Sequence, residues 1–142
     1  MRIQIKNLQN IKRIRINKLK KKLEKVLHIL KIKEEVYFVF CDNKLIKKLN
    51  RIYFKKKSST DVIAFPLKDK YSQNFLGEVV ISVEEVLKNS KIYKTTFFKE
   101  LLLCSIHGIL HLTGFKDYPL ENRKKMQKEE ERILKKVIID DC

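Results

Sequence analysis

Only three glycines and two prolines punctuate 142 residues. No stretch rich in either marks a linker, and no internal repeat or low-complexity segment appears, so residues 1–142 are expected to form one domain. Cysteine is as sparse. Cys41, Cys104 and Cys142 are scattered and odd in number, which argues against a disulfide framework and offers no pair with metal-ligand spacing. No apolar run approaches the roughly 18–20 residues that span a bilayer. The start, Met1-Arg-Ile-Gln-Ile-Lys6, alternates like a strand and lacks the continuous apolar core of a signal peptide. A cytoplasmic protein without a membrane partner is the expectation.

Acidic residues are also short: 17 Asp and Glu face 33 Lys and Arg, a net charge of +16. Such an excess suits a polyanionic partner, either nucleic acid or an anionic membrane surface. An AT-rich genome would also enrich lysine, isoleucine and asparagine while depleting glycine and proline. Composition leaves both readings open. With 44% apolar residues against 35% charged, the chain can build a core despite its charge.

What is present reads as an α+β layered domain, a small mixed sheet packed by helices. Ile3 to Leu8 is expected to be a strand. Ile14 to Leu30 has the apolar spacing of a helix, with Lys18, Lys20, Lys21, Lys22 and Lys25 on its other face. Val36 to Cys41 follows as a buried strand. Asp42 or Asn43 caps the next helix, which turns Leu45, Ile46, Leu49 and Tyr53 inward. Phe54 to Thr60 is a basic loop, Val62 to Phe65 a short strand closed by Pro66, and Lys68 to Asn74 a turn. Gly77 to Ser82 is a strand, and Ser82-Val-Glu-Glu85 has the form of a capping box opening a helix to about Asn89. Phe97 to Leu112, apolar on most sides, is expected to be the central helix. Pro119 suits the first turn of a last helix that buries Met126, Ile133, Leu134 and Val137.

The central helix carries the chemistry. His107 and His111 are four apart, one turn from each other on the same face. Gly114 can end the helix in a left-handed turn, after which Asp117 can return as a third ligand. Two imidazoles and a carboxylate leave a tetrahedral zinc ion one open position, the catalytic pattern. Two satisfied core histidines are the plainer reading of the pair alone. Cys104 shares the face of His107, as a small buried apolar residue or as a fourth ligand. His28 stands alone on its helix and suggests no site. The spacing matches the metzincin cage, but the glutamate that would serve as general base is replaced by Gly108. That disfavours peptide hydrolysis, and the positive charge favours phosphoester chemistry, which a metal also supports.

The segment His107-Gly-Ile-Leu-His111-Leu-Thr-Gly114-Phe-Lys-Asp117 resembles the signature of the YbeY-type metal-dependent endoribonucleases of bacteria. Three further segments are similar to that family: Leu49-Asn50-x-x-Tyr53; Thr60-Asp61-Val-Ile-Ala-Phe65-Pro66; and Gly77-Glu-Val-Val-Ile-Ser82. Glu100 also keeps the family's distance from the first histidine. The resemblance implies a zinc-dependent, single-strand-specific endoribonuclease with one Zn2+ per chain, acting on ribosomal RNA in 16S 3′-end maturation and ribosome quality control. It implies ribosomal RNA, the ribosomal subunit, ribosomal proteins and a GTPase assembly factor as partners. Its metal and catalytic positions fall on His107, His111 and Asp117.

Four positions depart from the family. Asp117 stands where its third histidine would be, and Lys116 where an aspartate is usual. Phe54 replaces an arginine thought to assist catalysis, so Arg51, Lys55, Lys56 and Lys57 are the candidate phosphate contacts. Ala64 replaces a serine. The substrate groove is expected between the metal-bearing helix and the Thr60–Phe65 strand, with Asp61 and Glu100 as partners orienting a ligand. Two other classes stay in view: an RNA- or ribosome-binding factor whose metal is structural, and a metal-dependent hydrolase of other substrates.

Overall fold

A computed structural model of the chain describes residues 2–55, 60–67, 74–116 and 118–139. Four strands, β1 (Ile3–Asn7), β2 (Glu35–Cys41), β3 (Val62–Pro66) and β4 (Phe75–Ser82), form one mixed sheet in the order β1-β2-β4-β3. β1 and β4 run parallel to β2, and β3 closes the edge antiparallel to β4. The helices are α1 (Ile16–Ile29), α2 (Asn43–Phe54), α3 (Val83–Ile92), α4 (Phe97–Leu112) and α5 (Leu120–Ile139). This is the α+β layered fold that the sequence predicts. None of the described helices is long and apolar enough to cross a membrane.

Strand alternation divides the interior. Val36, Phe38 and Phe40 of β2 and Val79 and Ile81 of β4 point into the main core with α1, α3, α4 and α5. Cys41, Ile63 and Val80 point the other way, where Ile46 of α2 packs on them. The sheet therefore carries four helices on one face and α2 alone on the other.

Some local expectations need correction. Lys22 does not belong to a solvated face of α1. It is 7% exposed, and its ammonium donates to the Val137 carbonyl at 2.8 Å, near the C-terminal end of α5, where the helix dipole favours a cation. Tyr53 is not inward but 62% exposed. Asp42 is the cap of α2, accepting from the Leu45 amide. The Ser82 hydroxyl accepts from the Glu85 amide, but the reciprocal half of the box is replaced. The Ser82 amide donates to the Asp61 carbonyl, and the Glu85 carboxylate accepts from the Asn43 side chain. Helix α3 runs on to Ile92 rather than ending at Asn89. Pro119 precedes α5, and its carbonyl takes the Asn122 and Arg123 amides. Most of the expected 68–74 turn lies outside the described residues.

Candidate metal centre and its cleft

Helix α4 is the central element that its apolar sequence predicts. Thr96 caps it, accepting from the Lys99 amide at 3.1 Å, and Leu101, Leu102, Ile106, Ile109 and Leu110 are fully buried. Its close seat on the sheet depends on Gly108. A Cβ at that position would stand 2.4 Å from Val79 Cγ1 and 3.1 Å from Cγ2, so any larger side chain would lift the helix off β4. The glutamate of a zinc protease is thus excluded there by packing as well as by sequence.

The end of α4 builds the site. Gly114 has φ +105°, in the region that favours glycine. Its amide donates to the His111 carbonyl and the Phe115 amide to the Leu110 carbonyl, the paired bonds of a Schellman turn. That turn carries the Phe115 carbonyl back to His111, whose Nδ1 lies 3.0 Å from it. A carbonyl only accepts, so the His111 proton sits on Nδ1. His107 Nδ1 meets the Glu130 carboxylate of α5, which places its proton on Nδ1 as well. In the neutral rings both Nε2 atoms then present lone pairs, and these face one another at 3.0 Å.

Two lone pairs at that distance repel unless a cation or proton joins them. Ligand nitrogens around one tetrahedral zinc stand about 3.3 Å apart, given Zn–N distances of about 2.0–2.1 Å. Donor set and spacing are compatible with a metal ion, and both rings are half-buried rather than enclosed in the core. Among the described residues, no group of three or more His, Cys, Asp or Glu side chains is placed to hold a metal. Asp117, the expected third ligand, lies outside the described residues, as do Lys56 and Lys57.

Cys104 is not arranged as a ligand. It is 7% exposed. Burial, followed by the nearby Asp61, Glu100 and Glu130 carboxylates, pushes its thiol well up. Asp61 and Glu100 serve other partners than a histidine in the bonds seen: Asp61 takes the Thr60 hydroxyl and Glu100 the Thr95 hydroxyl at 2.6 Å. The carboxylate that orients His107 is Glu130. Sequence reasoning missed it because it lies 23 positions away; the available signal was its place in the Met126–Val137 helical pattern, on a face beside the buried one.

Val62 and Ala64 of β3 pack into the main core, and Asp61, just before β3, lines a cleft together with His107 of α4. Among the described residues, two clefts reach His107. One, of about 420 Å3, lies among α3, α4 and α5 and includes Asp61, Asn89, Tyr93, Glu100, Gln127 and Glu130. The other, of about 410 Å3, adds Arg123 and Met126. Arg123 is the cation that shares a cleft with His107 among the described residues. Arg51 lies elsewhere, on the outer face of α2 with Lys44, Lys47 and Lys48. Lys55 ends α2 in a left-handed conformation with φ 54°.

Comparison with known proteins agrees with this architecture. The family model described as Endoribonuclease YbeY matches residues 4–138. The Endoribonuclease YbeY of Carboxydothermus hydrogenoformans is 41% identical over 99 residues, covering 70% of this chain and 69% of its own. That of Phytoplasma mali is 31% identical over 140 residues, covering 99% and 91%. The solution structure of TM1509 from Thermotoga maritima superposes with a TM-score of 0.66 at 28% identity, covering 95% of this chain and 88% of that one. With the family model spanning nearly all of the fold described above, the chain belongs to the YbeY endoribonuclease family.

Proposed function

We propose that this chain is a zinc-dependent endoribonuclease that cuts single-stranded RNA during ribosomal RNA maturation, with the 3′ end of 16S RNA as its site of action and the cytoplasm as its location. The observation that carries the reading is the convergence of His107 and His111 through Nε2, each with its Nδ1 proton held by a partner. Family membership supplies the RNA. His107 and His111 would hold the zinc, with Asp117 as third ligand. When bound, the metal supplies Lewis-acid activation of water and neutralises phosphate charge.

The chain's own residues do the rest. Glu130 keeps the His107 proton on Nδ1 and fixes the ring, and the Phe115 carbonyl does the same for His111. Arg123 lines the cleft at His107, where a guanidinium can pair with phosphate oxygens. It takes the charge-neutralising role for which Phe54 is unsuited. Ribosomal proteins and a GTPase assembly factor are the protein partners in this reading.

The test is cleavage of a single-stranded RNA. Activity is expected to vanish on chelation and to return with zinc, and a matched duplex is expected to resist. Intact RNA at all zinc levels, with binding retained, would leave the RNA-binding-factor reading instead. Two further results are expected. Glu130→Ala should weaken zinc by about 10–100-fold, the range for loss of a carboxylate behind a histidine ligand. Glu130→Gln, which keeps an acceptor for the Nδ1 proton, should lose less. Competition with a chromogenic chelator reads both, and equal affinity in all three proteins would remove Glu130 from the site. RNA affinity should also fall steeply with salt, by about 0.7 in log K per phosphate contact for each tenfold change. A flat response would make the positive charge a matter of genome composition.

A further inference from the structure

The outer face of α2 joins two features that have no part in the metal centre. Lys44, Lys47, Lys48 and Arg51 recur at helical spacing and line one groove of about 540 Å3. No aspartate or glutamate interrupts α2 between Asn43 and Phe54. One turn beyond Arg51, the row ends on Phe54, which is 47% exposed. The Phe54 ring stacks on Phe65 of β3, with centroids 6.0 Å apart and planes at 29°. Tyr53 meets the same Phe65 edge-on at 5.3 Å. Phe65 thus backs Phe54, leaving a flat ring on an exposed helix end. From Lys44 to Phe54 the row is about 15 Å long.

We infer that this face of α2 is a track for single-stranded RNA, in which the four cations hold successive phosphates and the Phe54 ring stacks a base. A basic groove ending on an aromatic face is the combination that binds single strands with little regard to sequence. A duplex, whose bases are already stacked, cannot use the ring. The assignment rests on the endoribonuclease reading and adds to it the surface that selects unpaired substrate. It also gives Phe54 a role of its own where the family places an arginine: one phosphate contact is exchanged for one base contact.

The experiment measures binding of a labelled single-stranded RNA decamer carrying 2-aminopurine, checked intact at the end point. The native chain, Phe54→Leu, Phe54→Tyr and Lys47→Gln with Lys48→Gln are compared. Phe54→Leu keeps an apolar contact with Phe65 and should melt as the native protein does. It is expected to bind roughly 5- to 150-fold more weakly, the range for one lost base stack, without changing the salt slope. It should also lose quenching of 2-aminopurine, and Phe54→Tyr should retain both. The double lysine variant should flatten the salt slope by about 1.4 and leave quenching in place. If the native chain binds no single-stranded RNA, the endoribonuclease reading falls and this inference with it. If the native chain binds and cleaves RNA but these variants match it, the track alone is overturned. Binding of vesicles of anionic lipid that Phe54→Leu abolishes, with RNA affinity untouched, would overturn it in favour of a membrane surface.

Discussion

His111→Ala is expected to strip the chain of zinc and to lower RNA cleavage by more than 100-fold while leaving most of the fold intact. Losing a residue behind a metal ligand costs about 10–100-fold, and losing a ligand itself must cost more. The fold should survive because His111 is only half-buried at the last turn of α4, where it contributes one ring to the edge of the core. Metal analysis of native protein should give about one zinc per chain, and the variant close to none. Asp117→His, which installs the family's ligand, should keep the metal. A His111→Ala protein that retained zinc and activity would remove this centre from the reaction.

Gly108→Ala is the second large expectation, and here the fold is the target. Alanine would add about 1 kcal/mol of helix propensity. Against that, its Cβ must displace Val79 from contacts of 2.4, 3.1 and 3.3 Å. Three atoms of one β-branched side chain surround the position, and Val79 is itself fully buried in the middle of β4, so rotation gives little relief. Overpacking of this kind costs about 1–3 kcal/mol, and the steric term should outweigh the propensity gain. Denaturant unfolding should show a lowered midpoint at unchanged slope, with weaker zinc binding because both histidines ride on the lifted helix. An unchanged midpoint would mean that α4 and β4 separate easily. The same small-residue logic applies at Gly77, where a Cβ would stand 2.5 Å from the Phe65 carbonyl oxygen.

Much of this was readable in the chain because the signals were local. The apolar run of α4, the cap at Asp42, and the glycine that ends α4 each act within a few residues. The i, i+4 histidines share a face by helix geometry alone. What the chain does not announce are contacts that only the packing of distant elements creates. Lys22 reads as one of five lysines on a solvated stripe, yet it reaches a carbonyl 115 positions away. Glu130 is one of three consecutive glutamates, and only the crossing of α5 over α4 selects it for His107. The cleft at His107 is hidden for the same reason. Nothing local says that α3 and α5 complete the opening that Asp61 shares with His107. Tyr53 fails differently: its aromatic bulk suggests burial, but the small core beneath α2 is already filled by Ile46, Ile63 and Val80.

The two histidines differ in how they could be lost over evolution. His107 is steered by a side chain, so one nucleotide change at position 130 can unmoor it. His111 is steered by a main-chain oxygen, which every amino acid supplies, so no replacement of the Phe115 side chain can delete that restraint. A position such as Lys116 is therefore free to drift in its side chain while the imidazole keeps its aim. The glycine that shapes the backbone is not.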